Sequence, residues 1–325
     1  MILITETPNI RRFLSVVAAL FVLTACGDDQ VQSGSSERDR PTVVVTTNIL
    51  GDVVENLVGQ QFEVVTIMPV GADPHDFQPS AQQVAQIADA HLLIVNGAGF
   101  EESLLDVIES AEADGVPVFE AMSVVDAIEF GEEGHGDEDD DHDDEHDGAD
   151  PHFFTDPARM AEAADGIRAF LVANVDGVDV ASLDSSAAEY IGELETLDVE
   201  VESLLAAVPA ARRVMVTNHE VFGYFAERYG FEVVGTVIPG GTTSDSASAR
   251  ELAELAELIA QRDVPAIFAD VSSTDELART VADEIGDIDV VDLFSESLGP
   301  DDSNGATYLD MIRTNARRIA DALAG

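Results

Sequence analysis

The amino-acid sequence predicts an α/β protein of two similar lobes with mainly parallel sheets, joined by a long linker helix, with a cleft between the lobes. Three observations carry this reading. Short β-branched runs alternate with helical periodicity along most of the chain, the pattern of parallel βαβ units. The landmarks Thr47-Asn48, Phe62-Glu63-Val64-Val65 and Pro69 recur as Thr217-Asn218, Phe231-Glu232-Val233-Val234 and Pro239, at an offset of about 170 residues. The length of 325 residues suits two domains of ordinary size.

In chain order, Arg11 and Arg12 precede an apolar run from Phe13 to Ala25. That run is short for a bilayer span but suits the core of an export signal, so residues 1–25 read as a signal peptide. It ends in Leu23-Thr24-Ala25-Cys26-Gly27, which resembles the lipobox of bacterial lipoproteins and implies cleavage before a lipidated Cys26. Residues 26–40, polar and rich in Ser and Gly, read as a flexible tether. An N-terminal lobe follows over 41–156, with strands expected at 42–47, 62–68, 91–96 and 117–121 and helical segments at 80–90 and 100–112. A linker helix is expected over 157–175 and a second helical stretch over 184–206. The C-terminal lobe, 176–325, has expected strands at 212–217, 231–238, 266–270 and 287–294, a helix opening at His219, and a final helix over 306–323. In such sheets ligands bind beyond the carboxyl ends of the strands.

The charge excludes one class of partner. The chain holds 65 Asp plus Glu against 15 basic residues, all of them arginine, for a net charge of -50. Such a field repels phosphate backbones, so no nucleic-acid partner is expected, and it attracts cations. The chain is nonetheless 46% hydrophobic, too apolar for a disordered acidic polymer. Cys26 is the sole cysteine, so the mature protein has no disulfide and no thiolate ligand, and any transition-metal site must use histidine and carboxylate.

Three of the seven histidines stand at strand ends or loops. His75 and His152 each follow Asp-Pro, and the proline fixes the local backbone. His219 follows the strand RRVMVT. A neighbouring Asp is placed to accept the second imidazole N–H, the usual orienting contact of a metal-bound histidine. Three cleft-facing histidines without cysteine suit zinc. His91 opens the strand HLLIVN and reads as a packed or edge residue.

GADPHDFQPS (71–80), NGAGFE (96–101), DPHFFTDP (150–157), TNHEVFGYFAERYG (217–230) and TYLDMIRTNARRIADAL (307–323) together resemble the solute-binding proteins of zinc and manganese ABC importers, in order and across essentially the whole mature chain. The resemblance implies two α/β lobes joined by a rigid helix, one divalent metal between them, and a membrane permease and ATPase as partners. It implies an exported protein, lipid-anchored at the outer face of the cytoplasmic membrane or in the periplasm. His75, His152 and His219 match the family's histidine ligands. The fourth ligand of the family is an Asp, and Glu296 of Ser295-Glu296-Ser297-Leu298-Gly299 occupies its position, with Asp292 as the alternative. Phe153-Phe154 stand where the family often carries Trp, and an aromatic lining is expected there. Histidine at the third position resembles the zinc binders, whereas manganese binders often have Glu, so Zn2+ is the expected solute with Mn2+ as the alternative.

Residues 131–150 carry twelve Asp plus Glu together with His135, His142 and His146. This block is either a solvated acidic loop or a weak auxiliary metal collector. No enzyme is expected: a zinc hydrolase needs an open coordination position, and nothing matches H-E-x-x-H. A lipid-anchored adhesin is the remaining alternative.

Overall fold

The computed structural model describes residues 40–130, 148–244, 246–286 and 288–324. The expected export segment, Cys26, and His135, His142 and His146 lie outside the described residues. In the first lobe β1 (Thr42–Val45), β2 (Glu63–Thr66), β3 (Leu92–Val95) and β4 (Val118–Glu120) form a parallel sheet in the order β2-β1-β3-β4. In the second, β5 (Val214–Thr217), β6 (Glu232–Thr236), β7 (Ala266–Asp270) and β8 (Asp289–Leu293) repeat it as β6-β5-β7-β8. The sequence repeat is thus a repeat of topology.

Both faces of each sheet are covered, so the central strands are apolar throughout. Alternate residues divide between the faces. Val43 and Val45 of β1 point into a central core, while Val44 joins an outer core with Ile67, Leu93 and Ile108. In the second lobe Met215, Ala266 and Phe268 face the central core, and Val216, Ile267 and Ala269 the outer one.

Helices α1 (Asn48–Val58), α2 (Ala81–Ala88) and α3 (Leu105–Ala113) belong to the first sheet; α6 (Gly223–Tyr229), α7 (Ala249–Arg262) and α8 (Glu276–Ile285) belong to the second. Capping boxes Ser80/Gln83 and Ser248/Glu251 start α2 and α7. Between the sheets run α4 (Pro157–Asn174) and α5 (Val180–Leu205), and the chain closes with α9 (Tyr308–Ala324). Met160, Ala164, Ile167, Leu183, Leu194, Val201, Met311 and Ile319 from these helices join the inner faces of both sheets in one core. A core shared by both lobes resists hinge motion.

Three local features differ from the sequence expectation, each with a physical cause. Helix α5 starts at Val180 rather than 184, because the Asp179 side chain accepts the Ser182 N–H at 3.2 Å as an N-cap. The helix expected from 100 starts only at Leu105: Gly97, Ala98 and Gly99 all have positive φ, and a 3-10 turn over Glu102–Leu104 precedes α3. His219 does not open a helix, since α6 begins at Gly223. The cause lies in the alignment of β5 with β6, which also skips one β6 residue, Val234, between the pairs Met215–Val233 and Val216–Gly235. Val45 O accepts the Ile67 N–H in the first lobe, whereas Thr217 O accepts the Val237 N–H in the second. The β2 and β6 ends keep the 170-residue offset, while β5 runs two residues further. By pairing, His219 therefore stands where Thr47 caps α1.

Candidate functional site

The carboxyl ends of the strands of both sheets deliver the site. His75 comes from the segment between β2 and α2, His219 from the turn between β5 and α6, and Glu296 from the segment after β8. His152 lies just before the 3-10 turn Phe153–Thr155 that leads into α4. All four are buried, and one donor atom from each lies within 4.8 Å of every other. Glu296 Oε1 is the hub: the Nε2 atoms of His75, His219 and His152 stand 2.7, 3.2 and 3.3 Å from it.

Buried polar atoms are normally paired, and here several are not. Among the described residues, His152 Nε2, His219 Nε2, His219 Nδ1 and Glu296 Oε2 have no hydrogen-bond partner. Three imidazoles and one carboxylate converging in an apolar pocket, with donor atoms left over, fit a divalent cation taken from water. Phe100 walls the pocket with T-shaped contacts at 5.4 Å to His75 and 5.5 Å to His152, and Phe154 packs 5.9 Å from His152.

The histidines are held unequally. Asp150 Oδ1 accepts the His152 main-chain N–H at 2.9 Å and faces its Nδ1 at 2.7 Å. Asp73, the Asp of the other Asp-Pro-His, accepts the His75 main-chain N–H at 3.0 Å but not its ring, and Glu102 takes His75 Nδ1 at 2.9 Å. The two tripeptides are therefore not equivalent. Glu102 carried no distinguishing signal in the sequence, being one acid among 65. Its neighbour Glu101 turns inward and accepts from Thr46 Oγ1 and the Asn96 N–H, each at 2.6 Å, which fixes the 97–100 turn and so Phe100.

The protonation of the metal-free cluster follows from these distances. Burial alone would lower the His152 imidazole, but the carboxylates of Asp150 and Glu296 outweigh it and raise it to about 9. Burial likewise opposes a charge on His75, yet Glu296 and Glu102 at its two nitrogens raise it. Burial alone would raise Glu296; the imidazoles of His219, His75 and His152 hold it well below the usual carboxylate range. Protons thus stand in for the cation.

Glu296 is placed from behind. Asn48 Oδ1 accepts the Leu298 N–H at 2.7 Å, and Ser297 Oγ accepts the Gly71 N–H at 2.7 Å, tying this segment to the first lobe. Asp292 is exposed on β8 and is not among the converging donors; its carbonyl accepts from Arg318 Nη1 at 2.7 Å. His91 is exposed, and its Nδ1 accepts the Thr42 N–H at 3.2 Å. Asp270 at the end of β7 was not anticipated. It is buried, accepts from the Ser272 N–H and hydroxyl at 2.9 and 2.6 Å, and is raised to about 6 by burial and then by the Glu296 charge.

Two parallel α/β lobes with a buried cation-type donor set between them define a two-lobed binding protein for a small solute. Comparison with known proteins identifies the kind. The family profile described as zinc-uptake complex component A, periplasmic, matches residues 43–322, and the chain belongs to that family. The chain is 28% identical to the zinc-binding protein TroA of Treponema pallidum over 97% of this chain and 99% of that one. The solved structure of the Treponema pallidum periplasmic zinc-binding protein TroA superimposes with a TM-score of 0.77, covering 88% of this chain and 100% of that one at 28% identity. The chain is also 27% identical to the manganese-binding lipoprotein MntA of Halalkalibacterium halodurans (95% of this chain, 98% of that one). It is 29% identical to the high-affinity zinc uptake system protein ZnuA of Bacillus subtilis (95% and 97%). The protein is the substrate-binding component of a metal ABC transporter, not an enzyme.

Proposed function

We propose that the chain captures Zn2+ outside the cytoplasm, with His75, His152, His219 and Glu296 as its four ligands, and hands it to a membrane permease driven by an ATPase. The observation that carries this reading is the convergence of three imidazole nitrogens on Glu296 Oε1 in a fully buried pocket. Imidazole-rich sets suit zinc, whereas manganese prefers more oxygen. Relatives named as lipoproteins support an anchor through Cys26 on the outer face of the membrane.

Manganese is the second reading. Glu296 Oε2 has no partner among the described residues, so the carboxylate has a second oxygen to offer, and a relative named as manganese-binding spans the same length. The test is metal content and competition on the purified chain. One tight zinc equivalent, resistant to excess Mn2+ and lost in His219→Ala, is expected. Displacement of zinc by stoichiometric Mn2+ would overturn the selectivity, and a chain with no tight equivalent of either metal would overturn the site.

A further inference from the structure

We propose that Asp73 and Thr243 form a latch between the two lobes that sets how fast the bound metal leaves, with Asp73 as a positioning residue for His75. The Asp73 carboxylate does two jobs at once. Its Oδ1 accepts the main-chain N–H of His75 at 3.0 Å, and its Oδ2 accepts the Thr243 hydroxyl at 2.6 Å. Thr243 belongs to the second lobe, in the Pro239–Ser244 segment that follows β6.

That segment is held at its other end beside a second ligand. The Gly240 carbonyl accepts the Glu220 N–H at 3.0 Å, one residue beyond His219. Gly241 leaves room for Phe130, whose ring stands where a Cβ would be and packs 6.2 Å from the ring of His152. One short loop therefore touches the supports of all three histidines. The hydrogen bond from Thr243 to Asp73 of the His75 loop crosses between lobes.

The place of this contact in the fold is not arbitrary. Asp73 and Thr243 lie 170 residues apart, the offset that the β2 and β6 ends preserve. The corresponding loops of the two lobes thus meet across the mouth of the site. A second inter-lobe tie, from Asn48 to Ser297 and Leu298, is buried behind Glu296, and the Gly71 N–H donates to Ser297 Oγ at 2.7 Å beside it. Asp73–Thr243 is only partly buried, so it opens without exposing core. With α4 and α5 locked into the shared core, parting this latch and moving the His75 loop is the low-cost route out for the ion.

The inference rests on the metal-site reading above. The experiment loads the full chain with one equivalent of Zn2+ and follows release to excess chromogenic chelator by stopped flow. Thr243→Val removes the donor with little change of shape. Release is expected to quicken roughly tenfold, the scale of one charge-assisted hydrogen bond, with one tight equivalent and the melting temperature retained. Thr243→Ser, which keeps the hydroxyl, should restore the original rate. In an Asp73→Ala background, Thr243→Val should add nothing. Release from Thr243→Val within twofold of the parent, or effects of the two substitutions that add, would overturn the latch while leaving the metal site standing. A parent chain with no tight equivalent would overturn the metal reading and the latch with it.

Discussion

Removing the carboxylate behind His152 perturbs the cluster while leaving all four donor side chains in place. Asp150 Oδ1 takes the His152 N–H at 2.9 Å and its Nδ1 at 2.7 Å, and the carboxylate is 4% exposed. Asp150→Ala strands both donors where water does not reach. A charge-assisted hydrogen bond contributes about 1.5–3 kcal/mol, and losing the carboxylate that orients a metal-bound histidine costs about 10- to 100-fold in metal affinity. We therefore expect zinc affinity to fall by roughly 10- to 100-fold with one equivalent still bound. Asp150→Asn keeps one accepting oxygen and should fall between. Gly223→Ala approaches the same carboxylate from the other side, because a Cβ there would sit 2.7 Å from Asp150 Oδ2. It should weaken binding in the same direction without touching a ligand. Competition against a chelator of known affinity reads all three variants, and circular dichroism checks that each is folded. A folded Asp150→Ala protein with affinity within twofold of the parent would refute the idea that Asp150 orients His152 for metal.

Other outcomes follow from the same geometry. A cation needs neutral imidazole, and His152 is raised to about 9, so zinc affinity should rise by about one log unit per pH unit from about 6.5 to 9. Calorimetry at pH 7 in two buffers of different ionisation enthalpy should then report proton release; none would contradict the protonated cluster. For the metal-free protein the sign reverses. The raised His152 stabilises the fold below its unfolded value, and that contribution is lost as pH climbs from about 6.5 through 9, which urea titrations across that range would show. Tyr308→Phe removes a buried hydroxyl that donates to Phe154 O at 2.9 Å, which should cost about 1–2 kcal/mol by thermal unfolding and leave metal affinity unchanged. Deleting 131–148 should remove weak zinc equivalents and spare the tight one; unchanged stoichiometry would reduce the block to a solvated loop.

The strands were legible because a parallel sheet covered on both faces demands uninterrupted apolar runs, as in Val43-Val44-Val45. Both Asp-Pro-His histidines were legible as strand-end or loop residues whose preceding proline fixes the approach. The two-residue offset of β5 against β6 was not, because it changes no residue type; it only moves His219 along the pairing, off the helix that the sequence suggested. Glu102 was hidden for a related reason. Glu101 and Glu102 are identical in type, and only the positive φ values at Gly97, Ala98 and Gly99 decide which turns in and which meets His75. Asp292 and Glu296 were both carboxylates near one strand end. Asn315 separates them: its side chain accepts the Phe294 N–H at 3.0 Å and donates to Phe294 O at 2.6 Å, anchoring the chain where β8 ends.

Retention and capture of the ion are governed by different parts of the molecule. The lobes are duplicated, yet the converging donor set is not, since four unlike connections supply it. Parallel strands make this possible, because their carboxyl ends lie on one edge of each sheet and any loop there reaches the cleft. Selectivity therefore depends on a few loop residues that vary without disturbing the core. The net charge of -50 acts elsewhere. A long-range negative field concentrates every cation near the mouth and raises the association rate, without telling zinc from manganese. The two contributions separate by salt: raising ionic strength should slow metal capture and leave the zinc-to-manganese preference unchanged. A preference that collapsed in high salt would place selectivity in the acidic surface rather than in the three histidines and Glu296.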